Sequence, residues 1–244
     1  AKKQPQKIKQ KEYPTPIKFI KPKKIAIVID DMGIDQKLSG VAVKLPGPLN
    51  LSYLPYGKNI KTQTAEAIKN GHELLMHLPM EPIKQFYDPG PNALLVGISK
   101  RELLSILRWN LDQFDNFVGI NNHMGSSFTA DQELMTVVFE ELKIRGLFFL
   151  DSLTTHNSKG EKTAQKVGLE FLKRHIFIDN LNSIKEIKKQ FVKVEALSKM
   201  NGYVIAICHP RINTLKVLEP WLYSLKKRGF ELVSLSNILS EKRK

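Results

Sequence analysis

The chain has 244 residues, enough for a sizeable core, and its 42% hydrophobic and 25% charged residues are those of an ordinary globular protein. No run approaches the roughly 18 apolar residues of a membrane span, and a single cysteine, Cys208, excludes an internal disulfide and a multi-cysteine zinc site. The formal charge of +14 at pH 7 has the look of a nucleic-acid binder until it is mapped along the chain.

Residues 1–24 hold nine Lys against Glu12, a local +8, and the last four residues add +2, which leaves +4 for residues 25–240. The opening stretch AKKQPQKIKQKEYPTPIKFIKPKK is rich in Lys, Gln and Pro and without hydrophobic periodicity, so residues 1–23 read as a basic linker. Its plain meaning is a solvated tether; attraction to an anionic envelope polymer or membrane surface is the sharper one. No aromatic-interleaved basic platform follows, which argues against nucleic acid as a partner. The chain opens on Ala1 rather than Met, so a processed or trimmed chain is expected, with any targeting segment beyond it.

From Lys24 onward, strands and helices alternate. KIAIVID is a strand, IDQKLSGVAVKL a helix, LNLSYLP a strand, residues 60–70 a helix and HELLMHLP a strand. EPIKQFYDPGPNALLVG is the longest irregular connection. SKRELLSILRWNLDQF is an amphipathic helix with Ser99 as N-cap and Glu102 completing a capping box. FVGIN (strand), DQELMTVVFEELKIRG (helix), LFFLDS (strand) and a short helix near 161–167 come next. LEFL and HIFID, the helix SIKEIKKQFVKVEALSKM, the strand YVIAICHP, the helix NTLKVLEPWLYSLKKRG and a last strand FELVSLS complete the chain. This alternation predicts an α/β fold with a mainly parallel sheet, a (β/α) barrel of seven or eight strands over residues 24–240, with 241–244 as a short basic tail. The dinucleotide fingerprint and the P-loop are both missing.

Polar residues gather at the predicted strand ends. Asp30 and Asp31 end the first strand and His77 the third; Asn121, Asn122 and His123 follow the fourth. Asp151 ends the fifth, Asp179 ends HIFID and His209 ends YVIAIC. In a parallel barrel these ends share the rim that carries active sites, and Asp and neutral His are ligands that a divalent metal such as zinc accepts. Each residue also has a duller role. Asp30, Asp31, Asp151 and Asp179 could cap helices, His77 could be a hydrogen-bonded core residue and His209 a plain strand terminus. His72, His175 and His156 lie away from the rim and read as structural or solvated, and Cys208 as a small buried residue pointing away from His209.

The same residues resemble the polysaccharide deacetylase superfamily, and more closely its divergent branch. VIDDMG is similar to an apolar strand ending in Asp-Asp-Gly, with Met32 inserted before Gly33. GHELLMH resembles the approach to the second motif, and IAICHP the last one. DPGPNALLVG, VGINNHMGSSFT and FFLDSLTT resemble the divergent branch in particular. The resemblance covers residues 24–238.

It implies a distorted (β/α) barrel and metal-dependent removal of acetyl groups from N-acetylated, or O-acetylated, cell-envelope glycan. Carried over to matching positions, Asp30 is the general base, Asp31 and His77 are metal ligands, and His209 is the general acid, oriented by Asp151 or Asp179. Glu81 stands where the superfamily has a second histidine, and NNHMGS replaces its Arg-Pro-Tyr loop. His123 is then expected as the third ligand, with Glu81 or Asn122 as an alternative ligand or an outer support. The Gly125-Ser126 turn is the expected oxyanion or substrate contact, and zinc the expected ion. The resemblance also implies an extracytoplasmic, periplasmic location. A barrel that binds an envelope glycan or protein without turnover is the competing expectation.

Overall fold

The computed structural model describes residues 23–84 and 86–243, so the predicted linker falls outside it except for Lys23. Strand β1 (Lys23–Met32) is the spine of the fold. Along it Ile25, Ile27 and Ile29 pack into the layer shared with the helices, while Ala26 and Val28 belong to a second cluster inside the curled sheet. Both faces of the strand are therefore buried, which explains its nearly unbroken apolar run.

On one side of β1 lie β2 (Asn50–Tyr53), β3 (Glu73–Met80), β4 (Gly119–Met124), β5 (Phe148–Asp151) and β6 (Phe171–Lys173). On the other lie β8 (Tyr203–Cys208) and then β7 (Ile176–Phe177), giving the order β6-β5-β4-β3-β2-β1-β8-β7. All of these pairings are parallel. A ninth strand, β9 (Phe230–Leu232), exceeds the expected seven or eight; it pairs with Lys23–Ile25, the stretch of β1 that precedes its pairing with β2 at Val28.

The curl closes without a ladder. Among the described residues β6 and β7 do not pair, and Arg174 and His175 alone carry the chain between them. Arg174 N–H donates to Asp151 C=O on one side of this seam, and His175 N–H to Ile205 C=O on the other.

Helices α1 (Gln36–Val43), α2 (Ile60–Lys69), α3 (Lys100–Leu111), α4 (Gln132–Ile144), α5 (Gly160–Val167), α6 (Ile184–Asn201) and α7 (Ile212–Leu225) fall in the regions the periodicity predicts. Ser99 Oγ caps α3 by accepting the Glu102 N–H, and Asp131 caps α4 through the N–H groups of Glu133 and Leu134. None of these helices is long and apolar enough to cross a membrane.

The chain end departs from expectation. FELVSLS is a strand only to Leu232, and Ser234 then caps an eighth helix, α8 (Leu235–Lys242), which takes in the start of the predicted 241–244 tail. Its apolar positions Leu235, Ile238 and Leu239 have helical spacing and pack with Ala26, Val28 and Leu75 inside the sheet. Lys24, Asn50 and Glu73, at the N-terminal ends of β1, β2 and β3, hold it in place. This helix plugs the end of the barrel opposite the rim.

Asn50 fixes the plug: it is fully buried, its Oδ1 accepts the Leu235 N–H at 2.8 Å and its Nδ2 donates to Ile27 C=O at 2.9 Å. Asn50→Ala leaves both groups in a dry core and should lower unfolding free energy by about 1–3 kcal/mol, read as a fall in the urea midpoint at unchanged slope.

Candidate metal centre and catalytic rim

Alternation along each strand decides which rim residues meet. Asp30 continues the inward series of Ala26 and Val28, His77 that of Leu75, and His209 that of Ile205 and Ile207. Asn121 and His123 alternate with the outward Ile120, and Asp179 with the outward Ile178. Asp31 should by the same rule point away. It does not, because the β1–β2 register shifts between Ile29 and Met32 and Asp31 takes the left-handed conformation, φ 56°. This β-bulge re-aims the second carboxylate into the same cavity as the first, at a backbone strain of about 1–3 kcal/mol. Neither acid caps the following helix; Asp35 does, through the Leu38 N–H.

Asp31, His77 and His123 converge. Asp31 Oδ1 is 3.3 Å from His77 Nε2 and 3.0 Å from His123 Nδ1, and the two ring nitrogens are 3.1 Å apart. Ligands about 2.0–2.2 Å from a tetrahedral ion sit about 3.3–3.6 Å from one another, so the triangle, with edges of 3.0–3.3 Å, needs only a slight opening to take one small divalent cation. Asp31 Oδ1 is buried yet makes no hydrogen bond, despite the two nitrogens crowding it. Acceptors facing one another without a shared proton are what a cation would reconcile. Among the described residues this is the one group of three or more such side chains with metal-binding spacing.

Asn121 organises the centre. Its Oδ1 faces His77 Nδ1 at 3.1 Å and accepts from the Ser52 hydroxyl; its Nδ2 donates to Asp30 Oδ1 at 2.8 Å and to Ser152 Oγ at 3.1 Å. Since a carbonyl oxygen only accepts, Nδ1 of His77 carries the proton, which leaves Nε2 free for a cation. Burial raises the Asp30 pKa, against the opposing pull of His77 and His209. Burial acts the same way on Asp31, but the imidazoles of His123 and His77 outweigh it and hold that carboxyl well below its usual range. For His77 burial disfavours the charge, and Asp30 and Asp31 more than offset it, so its pKa rises.

His209 is held from behind. Its Nδ1 is 2.9 Å from Asp179 Oδ1, its backbone N–H donates to Asp179 Oδ2 at 2.8 Å, and Nε2 points towards Asp31 Oδ2, 3.8 Å away. Burial would lower the His209 pKa; the Asp179 hydrogen bond and charge outweigh it and raise it. Asp179→Asn should therefore move the His209 titration to lower pH, followed by NMR of its imidazole protons. An unmoved midpoint would mean that Asp179 does not set the charge of this ring.

Of the two acids expected to orient His209, Asp179 does so and Asp151 does not. Asp151 follows the inward Leu150 on β5 and so points to the helix side, where Oδ1 accepts the Leu153 N–H and Oδ2 the Ser158 hydroxyl. Glu81 is likewise not with the histidines: its Oε2 accepts the Val96 N–H at 2.7 Å, and its C=O takes the N–H groups of Ser127 and Phe128. Asn122 joins strand ends, with Oδ1 on the Ser152 N–H and Nδ2 on Met124 C=O. Gly125, at φ 80°, turns the chain where a Cβ would lie 2.9 Å from Met80 Cβ, and Ser126 Oγ accepts the Ile83 N–H.

The three histidines set aside lie off the centre. His72 bridges the Leu49 N–H and Val43 C=O, His175 Nδ1 accepts the Ile205 N–H, and His156 is exposed. Cys208 is buried on the helix side.

The sequence model of a family described as divergent polysaccharide deacetylase matches residues 27–239. The chain is 35% identical over 219 residues to the uncharacterized protein YibQ of Escherichia coli K12, covering 89% of this chain and 68% of that protein. Its fold is similar to the crystal structure of the uncharacterized protein ATU2773 of Agrobacterium tumefaciens C58, with a TM-score of 0.87 at 24% identity over 91% of this chain and 92% of that one. It is also similar in fold to the catalytic domain of a peptidoglycan N-acetylglucosamine deacetylase from Eubacterium rectale, with a TM-score of 0.54 at 14% identity over 88% and 89% of the chains. A CE4 family pseudoenzyme from Bacillus anthracis matches at 0.51 and 10% identity, over 89% of this chain and 66% of that one.

Proposed function

The chain belongs to the divergent polysaccharide deacetylase family, and from that premise we propose that it is a metal-dependent hydrolase removing acetyl groups from N-acetylated, or O-acetylated, cell-envelope glycan. The observation that carries this reading is the Asp31–His77–His123 triangle beside two further groups of opposite proton duty, Asp30 and His209.

Asp31, His77 and His123 would hold the ion, zinc being the divalent cation best matched to one oxygen and two nitrogen ligands. Such an ion, when bound, acts as a Lewis acid and brings the pKa of water down to roughly 7. Asp30, 3.7 Å from His77 Nε2 through Oδ2 and steadied by Asn121 on Oδ1, accepts the proton of the attacking water. Burial raises its pKa, which makes it a stronger base than an exposed carboxylate. His209 gives a proton from Nε2 to the departing nitrogen or oxygen, because Asp179 occupies Nδ1 and stabilises the imidazolium. The Gly125-Ser126 turn is the proposed contact for the developing oxyanion.

The lysine-rich stretch 1–23 fits a tether to an envelope surface, and we place the domain outside the cytoplasm on that ground and on the substrate class proposed. Acetate release from N-acetylated oligosaccharides and O-acetylated glycan, measured after loading with zinc and other divalent ions in turn, tests the reading. Stoichiometric metal with no acetate from any of these substrates would instead support a barrel that binds glycan or protein without turnover. That second reading draws on Glu81, which stands at the superfamily's histidine position but is engaged with the Val96 N–H.

A further inference from the structure

The seam between β6 and β7 carries one side chain that the reaction above does not use. Arg174 is half-buried there and, among the described residues, forms no ion pair. Its Nε donates to Ser152 C=O at 2.7 Å and its Nη2 to Leu153 C=O at 3.1 Å. Those carbonyls begin the loop that leaves β5, and Leu153 holds φ at 49°. The guanidinium carbon lies 3.9 Å over the centre of the Phe177 ring. Phe177 in turn lies nearly parallel to the His209 imidazole, at 15° with centroids 6.1 Å apart. The β5 loop that Arg174 grips also presents Ser152 Oγ to Asn121, the residue that holds Asp30 and His77.

A guanidinium taken partly out of water loses solvation that must be replaced. Here two carbonyls and an aromatic face replace part of it, all three on elements that border His209 or Asn121, and the charges of Asp151 and Asp30 add a further attraction that burial still outweighs. Among the described residues β6 and β7 share no backbone hydrogen bonds across this gap, so the planar fork does what a ladder does elsewhere in the barrel. Lysine, a point charge on a flexible stem, cannot reach two carbonyls while lying flat on a ring.

We propose that Arg174 is a positioning residue for the general acid: it clamps the β5 loop to Phe177 across the open seam, and Phe177 sets the plane of the His209 imidazole. The proposal rests on the reading of His209 as the group that protonates the leaving atom.

Full-length R174A, R174K and F177L, each loaded with zinc, supply the test. The expected result is a kcat about ten- to a hundredfold lower in all three, the scale of a misplaced reacting group. KM should stay within about twofold, since ground-state binding is untouched. Metal content should be unchanged, and the carbon-bound imidazole protons of His209 should shift in the NMR spectrum. Added guanidinium ion should restore part of the R174A loss, and ammonium at the same concentration should not. F177L leaves both hydrogen bonds of Arg174 in place and decides the matter if R174A does not fold. R174K with wild-type kcat and unshifted His209 resonances would overturn the proposal, because charge alone would then suffice. A kcat loss that merely tracks metal loss would also overturn it. If the wild-type chain releases acetate from no substrate, the proposed activity fails, while the His209 resonances still decide whether the clamp exists.

Discussion

Asp30→Asn is expected to lower kcat for acetate release by about 10²–10⁴-fold while the metal stays bound. The substitution keeps the shape of the side chain and its Oδ1, so Asn121 can still donate to it. Asp30 is also outside the triangle formed by Asp31, His77 and His123. What is lost is the lone pair that takes the proton of water. Parallel measurement of kcat and of zinc per chain by elemental analysis separates the two roles. Near-normal turnover in Asp30→Asn would move the base elsewhere, and joint loss of metal and turnover would make Asp30 a ligand.

Asp31→Ala, His77→Ala and His123→Ala should each weaken metal binding by more than about a hundredfold, beyond the 10–100-fold usual for an outer support. Glu81→Gln should retain the metal, because its carboxylate is spent on the Val96 N–H. The pH dependence follows from the same contacts. Asp31 remains ionised well into the acid range, whereas His77 has its pKa raised by Asp30 and Asp31 once their pull exceeds the cost of burial. Protons therefore compete with the cation at His77, and the apparent metal affinity should fall as pH drops through that raised pKa. Titration with a competing chelator at several pH values measures it. An affinity flat with pH, or a His123 variant that keeps its ion, would break the ligand set.

Much of this was legible in the chain itself, since strand–helix alternation and acids or imidazoles at strand ends place a rim without coordinates. Parity along the strands explains where that reading stopped. Asp151 ends its strand like the others, but one step out of phase with Leu150, so it faces the helices and folds its own loop. Both Asp151 and Asp179 follow unbroken apolar runs, so only the folded sheet, with Leu150 turned inward and Ile178 outward, separates them. Asp31 breaks the same rule in the opposite sense, through a bulge that composition does not announce. Asn121 is placed on the rim by the sequence, but its role there cannot be read from its position. Its function depends on Ser52, Ser152, Asp30 and His77 meeting from four other segments. Helix α8 escapes because three apolar residues among serines and charges give a weak period, and tertiary docking on Asn50 supplies what propensity lacks.

With Ala26, Val28, Leu75, Ile205 and Ile207 filling the inside of the barrel and α8 seated beneath them, only the rim end is open to a ligand. On the function proposed above, a glycan strand would lie across that rim and present one acetylated unit at a time to His123 and His209. The small carboxylic acid set free would leave by the opening its parent still covers. Traffic at that opening, with the polymer sliding or lifting before the next unit enters, would then be as much a part of each cycle as the cleavage itself.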